Sequence, residues 1–183
     1  GKTGLNCAVV SFGGIPIQRS DAANTVAVVD ALEKHGMNYI DTARGYTVSE
    51  EYLGAALKGR REKFILATKS MVRDYEGMKK EVETSLKNLR TDHIEVYQLH
   101  NLPLGDFEKV FGPDGAYKAL EEAKAAGKVG HIGATFHSLD ALKKAVEEYA
   151  GKIETVMFPF NIVESQGTEI LKLAREKGMG TIC

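Results

Sequence analysis

The stretch at residues 38–57, NYIDTARGYTVSEEYLGAAL, contains the unit from which the fold can be worked out. Its first apolar run, Tyr39–Asp41, is typical of a short buried strand, and the segment from Ser49 onward is typical of a helix. The same order of short strand and longer helical segment recurs along the whole sequence. Such alternation predicts a parallel sheet whose strands are joined by helical crossovers.

The other predicted strands have similar lengths, and apolar residues at helical spacing lie between them. One helical stripe runs from Met78 to Leu89 and another from Leu139 to Tyr149. The seven predicted strands lie near Ala8–Phe12, Tyr39–Asp41, Phe64–Ala67, Ile94–Leu99, Gly130–Thr135, Thr155–Phe158 and Gly180–Cys183.

Right-handed crossovers would bring the C-terminal ends of these strands to one rim of a closed barrel or an open doubly wound sheet. The loop after the first strand, SFGGIPIQRS, lacks the Gly-x-Gly-x-x-Gly fingerprint of an open dinucleotide-binding sheet, which favours the barrel. Such barrels usually need about 250 residues, and this chain has 183. We therefore expect residues 1–183 to form one α/β domain, an incomplete (β/α)8 TIM-type barrel with about seven strands and six helices, truncated near strand seven. A natural seven-stranded variant is the less favoured alternative.

Composition limits the partners that we expect. A net charge of −1 provides no global field for nucleic acid or an anionic membrane surface. No apolar run approaches the roughly 20 residues that span a bilayer, and the N-terminus lacks the basic and then apolar segments of a signal peptide. We therefore expect a cytoplasmic protein. Cys7 and Cys183 are expected to be unpaired small core residues. We also expect that the unpaired edges of the first and last strands allow self-association.

Four polar residues follow the ends of three successive predicted strands: Asp41, Tyr46, Lys69 and His100. A free tyrosine has a pKa of about 10, so a proton-donating phenol needs a nearby cation, which Lys69 can supply. Asp41 would keep Lys69 charged and oriented, while His100 would donate a hydrogen bond to a carbonyl oxygen. The set suits carbonyl reduction. Each residue alone also fits a structural role, such as a rim ion pair or a surface aromatic.

Three segments, NYIDTARGYTVSEEYLGAAL at 38–57, FILATKS at 64–70 and IEVYQLHN at 94–101, resemble the aldo-keto reductase family. The resemblance runs from the first predicted strand to the last residue, and the ARGYT turn resembles a bacterial branch, some of whose members carry a C-terminal iron–sulfur segment. The resemblance implies reduction of a small aldehyde or ketone with a nicotinamide cofactor, usually NADPH, with NADH as the alternative. It also implies that Asp41, Tyr46, Lys69 and His100 are the catalytic residues.

The resemblance is weaker at the positions that would hold the cofactor. The family commonly has a serine–asparagine pair after strand five and a glutamine on strand six, where this chain has Thr135, Phe136 and Met157. Thr135 can replace the serine hydroxyl, but Phe136 cannot replace an amide. The loop after strand one would form a wall beside the nicotinamide. The expected cofactor-binding residues are Gly13, Gly14, Ile15, Asp41, Thr135, Phe136 and Met157.

Other functions are less well supported by the sequence. Phe136 and Met157 motivate the hypothesis of a nicotinamide-binding or regulatory barrel with little catalysis, and the short length motivates that of a non-functional fragment. No His-Glu-x-x-His or Cys-x-x-Cys motif is present, so no metal site is expected. Glu50 and Glu51 at a helix start are expected to favour the helix dipole and to need no acid–base role.

Overall fold

The computed structural model describes every residue from Gly1 to Cys183. Seven parallel strands form one curled sheet in which each strand pairs with its neighbours in chain order. This order confirms the predicted fold class, an incomplete (β/α)8 barrel. The strands are β1 Phe12–Gly13, β2 Tyr39–Asp41, β3 Ile65–Ser70, β4 Ile94–Leu99, β5 Val129–Thr135, β6 Thr155–Met157 and β7 Gly180–Ile182.

The structure has seven α-helices, one more than the approximate number predicted from the sequence. The connection between β4 and β5 holds two helices, because the turn at 112–115, which contains Pro113, ends the first helix before the second begins. None of the helices is both long enough and apolar enough to cross a membrane. The helices are α1 Ala22–Lys34, α2 Ser49–Ala56, α3 Tyr75–Leu89, α4 Phe107–Phe111, α5 Ala116–Ala125, α6 Leu139–Glu148 and α7 Thr168–Glu176.

The two faces of the sheet bury two separate apolar clusters. Alternate residues of a strand face opposite sides, so Ile40 and Leu66 join the 38-residue cluster between sheet and helices. Tyr39, Ala67 and Val96 form the smaller cluster on the inner face of the curl. The helices are therefore fixed to the outside, and the inner face carries the polar residues described below.

The pairing register places the predicted site residues of adjacent strands side by side. Gly13 pairs with Asp41 across β1 and β2, and Lys69 pairs with Gln98 across β3 and β4. Thr135 pairs with Met157 across β5 and β6. Because all strands run parallel, these pairs lie at one rim of the sheet.

Cys7 and Cys183 are both exposed, so the prediction of core cysteines was wrong. They belong to neither apolar cluster and instead line a cavity of about 560 Å³ between the N-terminal segment and β7. The amide of Lys2 donates to the Gly178 carbonyl oxygen at 2.6 Å, which holds the N-terminal segment against this side of the sheet. β1 and β7 each pair with a single neighbouring strand.

Candidate active site

A buried ion pair lies at the rim of the inner face, where the Lys69 ammonium contacts Asp41 Oδ2. The Lys69 side chain is 3% exposed and that of Asp41 is 12% exposed. The Lys69 ammonium also donates to the Thr42 carbonyl oxygen at 2.9 Å. Burial raises the pKa of Asp41, while the charge and hydrogen bond of Lys69 and the amide of Gln98 oppose that rise. The Asp41 carboxylate and the Thr42 carbonyl oxygen therefore hold the Lys69 side chain in this buried position.

Tyr46 places its ring beside this cation. The Lys69 ammonium nitrogen lies 5.0 Å from the centre of the half-buried Tyr46 ring. The neighbouring residue Thr47 has a φ of 45°, a left-handed conformation that is rare for a β-branched side chain and costs on the order of 1–3 kcal/mol. The loop that presents Tyr46 therefore adopts a conformation that the surrounding contacts must impose.

His100 faces Tyr46 from the end of β4, with ring centres 6.1 Å apart and ring planes at 89°. Burial, and after it the nearby charges of Lys69, Arg73 and His137, together lower the pKa of His100 to about 4. The imidazole is therefore neutral near pH 7 and carries one N–H donor. Its Nδ1 atom is buried without a hydrogen-bond partner in the protein. Asn101, which follows it, has a φ of 46°.

Gln98 belongs to the same cluster, although it was not among the predicted site residues. Its amide Nε2 donates to Asp41 Oδ1 at 2.8 Å, and the residue is fully buried. One oxygen of Asp41 thus binds Lys69 while the other binds Gln98. The signal was present in the sequence, because Gln98 lies two residues before His100, which directly follows β4, and alternate residues of an extended chain share a face.

Three of the expected cofactor-wall residues lie at the end of β1 and directly after it, with Gly13 as the last residue of the strand and Gly14 and Ile15 following. Gly14 is buried, and a Cβ atom there would come within 3.0 Å of both the Asp41 carbonyl oxygen and Ser49 Oγ. Gly13 has open space at its Cβ position, and the Ile15 side chain is 49% exposed. This segment of the chain is therefore closely packed onto β2 at Gly14 and leaves free surface at Gly13 and Ile15.

Thr135 on β5, Phe136 directly after it and Met157 on β6 differ in what they can offer to a nicotinamide. Thr135 Oγ1 accepts from the Asn101 amide at 2.7 Å, so its hydroxyl hydrogen is free to donate to a carboxamide oxygen. Met157 is half-buried beside it. Phe136 is 1% exposed and packs in the cluster between sheet and helices, so a cofactor contact from Phe136 would have to come from its backbone. The hydroxyl donor and the open space at Gly13 fit a nicotinamide; the Phe136 side chain adds nothing to that fit.

The structure contains no group of three or more histidine, cysteine, aspartate or glutamate side chains arranged to hold a metal ion. The rim cluster consists of one carboxylate, one ammonium, one phenol and one neutral imidazole. Such a set can donate a proton to an oxygen and stabilise the charge that remains on the phenolate.

The chain is similar to known proteins along most of its length. A family model described as "Aldo/keto reductase family" matches residues 9–183. The aldo-keto reductase YhdN from Bacillus subtilis is 30% identical over 94% of this chain. The NADH-specific methylglyoxal reductase from Escherichia coli is 29% identical over 92% of it. Among solved structures, the holo form of aldo-keto reductase AKR11C1 from Bacillus halodurans has a TM-score of 0.83 and 29% identity over 99% of this chain.

The chain spans only part of the length of these proteins. It covers 54% of the Bacillus subtilis relative and 59% of the Escherichia coli relative. It covers 63% of the Bacillus halodurans chain.

Proposed function

The chain belongs to the aldo/keto reductase family, and on this premise we propose that it reduces a small aldehyde or ketone to an alcohol with a reduced nicotinamide cofactor. The observation that carries the proposal is the position of Lys69, which contacts Asp41 and lies 5.0 Å from the centre of the Tyr46 ring. A buried cation beside a phenol is what proton donation by tyrosine requires near neutral pH.

Each of the four rim residues has its own role in the proposed reaction. Tyr46 donates its phenolic proton to the carbonyl oxygen of the substrate, and Lys69 stabilises the phenolate that remains. Asp41 and the Thr42 carbonyl oxygen hold Lys69 in place. His100, which is neutral because its pKa is lowered to about 4, donates a second hydrogen bond to the same oxygen.

A bound nicotinamide would supply the hydride that reduces the carbonyl carbon. Thr135 would donate to its carboxamide, and Gly13, Gly14 and Ile15 would form the wall beside its ring. We expect NADPH, with NADH as the alternative, since a relative named as NADH-specific is 29% identical to this chain. Met157 and the backbone of Phe136 complete the proposed contacts.

The test is a spectrophotometric assay of the purified protein with NADPH or NADH and a panel of small aldehydes and ketones. We expect oxidation of the cofactor that depends on the carbonyl compound. Fluorescence titration of each cofactor accompanies the assay. Binding without turnover across the whole panel would contradict the proposal and favour the nicotinamide-binding module, for which the buried Phe136 side chain is the supporting observation.

A further inference from the structure

A second charged cluster lies behind β3, on the side facing α2 and α3. Arg44, in the loop after β2, donates from its terminal nitrogen to Glu50 Oε2 at 2.7 Å and from Nε to Glu81 Oε2 at 3.1 Å. The Glu50 side chain is 1% exposed, and those of Arg44 and Glu81 are 21% and 23% exposed. One guanidinium therefore bridges carboxylates from two helices.

The same two carboxylates hold the strand residues on either side of Lys69. Thr68 Oγ1 donates to Glu50 at 2.8 Å, and Ser70 Oγ donates to Glu81 at 3.1 Å. Because alternate strand residues face opposite sides of the sheet, both hydroxyls lie on the face opposite to the Lys69 side chain. The cluster thus fixes β3 immediately before and after the residue that carries the cation.

Arg44 connects this strand to the loop that carries Tyr46. Its backbone amide donates to the Lys69 carbonyl oxygen at 2.9 Å, and Tyr46 follows two residues later. The loop contains the left-handed Thr47, a conformation that persists only where contacts impose it. Arg44 makes such contacts through both its side chain and its backbone.

Glu50 is a fully compensated buried carboxylate. It accepts hydrogen bonds from Thr68, Ser85, Arg44 and Asn88 at 2.8, 2.8, 2.7 and 3.3 Å. Removing one partner from such a group leaves a buried charge with fewer bonds and disturbs the rest of the network. Displacement of the Arg44 guanidinium would therefore be transmitted to α2, to β3 and to the Tyr46 loop together.

We propose that Arg44, Glu50 and Glu81 form a clamp that positions the Tyr46 hydroxyl relative to Lys69. The three are positioning residues, since none of them contacts the Tyr46 ring or the Lys69 ammonium. The inference deepens the proposed function and rests on it for its kinetic consequence. Its structural consequence, a fixed position of Tyr46, stands independently of any turnover.

The test compares Arg44→Met with Arg60→Met. Arg60 is a matched control because it also bridges two carboxylates, Asp30 at 2.5 Å and Glu33 at 3.4 Å, with an 18% exposed side chain. Arg60 follows α2 and precedes β3, at the strand end remote from the rim. Glu81→Gln serves as a second clamp variant, since it keeps the side-chain shape and would fold even if Arg44→Met did not.

Two measurements are needed. The first is kcat and KM for a carbonyl substrate, where we expect Arg44→Met to lower kcat by about 10- to 100-fold with little change in KM, as expected of a misplaced proton donor. Glu81→Gln should lower kcat less, and Arg60→Met should not lower it.

The second measurement is the 13C resonance of Cζ-labelled Tyr46, identified by its loss in Tyr46→Phe. It should shift or broaden in Arg44→Met and Glu81→Gln and remain unchanged in Arg60→Met.

The two measurements separate failure of the clamp from failure of the proposed function. A shifted Tyr46 resonance in a protein with no carbonyl turnover would support the clamp and contradict the reductase. An unchanged Tyr46 resonance in both clamp variants would overturn the clamp, whatever the activity. A loss of kcat in Arg60→Met as large as in Arg44→Met would also overturn it, because the loss would then reflect general destabilisation.

Discussion

Two lysines at opposite ends of β3 form ion pairs in very different surroundings. Lys63 lies just before the strand, and its side chain is 59% exposed and contacts Glu33. Lys69 lies near the end of the strand, and its side chain is 3% exposed and contacts Asp41. The hydrogen bond from Lys63 lowers the pKa of Glu33, while burial raises the pKa of Asp41. The exposed pair keeps its hydration, whereas the buried pair must be compensated by other groups, which here are Thr42 and Gln98.

The largest expected effect follows from breaking the buried pair. Lys69→Met leaves the Asp41 carboxylate buried without its cation, which should reduce the free energy of unfolding by about 3–5 kcal/mol. It should also reduce kcat by at least about 100-fold, because Tyr46 loses the charge that supports proton donation. Denaturant unfolding and steady-state kinetics measure the two effects.

Two further variants sharpen this prediction. Lys63→Met removes the exposed partner and should leave the midpoint of unfolding nearly unchanged. Replacing Asp41 by Leu together with Lys69 by Met should recover most of the lost stability and none of the activity, because no unpaired charge remains buried. A double variant as unstable as Lys69→Met alone would contradict the assigned cost of the unpaired carboxylate.

A smaller effect is expected from pH at the rim. The pKa of His100 is about 4 in the folded protein against an ordinary value of 6.5. Between these values the unfolded chain binds a proton that the folded chain does not, so stability should fall as the pH is lowered from about 6.5 to about 4. His100→Asn should reduce this slope in denaturant unfolding measured at several pH values. Identical slopes in the two proteins would contradict the assignment.

The smallest effect is expected at the other end of β2. Tyr39 lies in the inner apolar cluster, and its hydroxyl is buried without a hydrogen-bond partner in the protein. Tyr39→Phe removes an unsatisfied polar group and should change the free energy of unfolding by no more than about 1 kcal/mol, in the stabilising direction. Thermal unfolding measures it, and a large destabilisation would show that the hydroxyl has a partner, such as a bound water.

The order of the strands and the positions of their ends could be predicted from the sequence. Strand ends could be predicted because short apolar runs alternate with helical segments, and parallel strands bring their C-terminal ends to one rim. Asp41, Lys69 and His100 consequently lie together as expected. The extra helix in the connection after β4 was missed because a prediction from apolar spacing does not resolve a five-residue helix, Phe107–Phe111.

Side-chain environments were harder to predict than positions. Glu50 was expected to act on the helix dipole, yet it is 1% exposed and accepts four hydrogen bonds. Leu53, Gly54 and Leu57 lie three, four and seven residues after Glu50, and all three are buried. Because residues at this spacing share one face of a helix, the pattern would have indicated that the Glu50 side chain faces inward. The donors that compensate it come from β3, α3 and the β2–α2 loop, and their convergence depends on the tertiary fold.

Tyr46 is the proton donor of the proposed reaction, and Tyr39, the first residue of β2, provides the control for its replacement. Carbonyl-dependent oxidation of NADPH or NADH should be compared among the natural protein, Tyr46→Phe and Tyr39→Phe. We predict that Tyr46→Phe lowers kcat by about 100- to 10,000-fold while Tyr39→Phe keeps the natural rate. A Tyr46→Phe variant that turns over as fast as the natural protein would contradict the account.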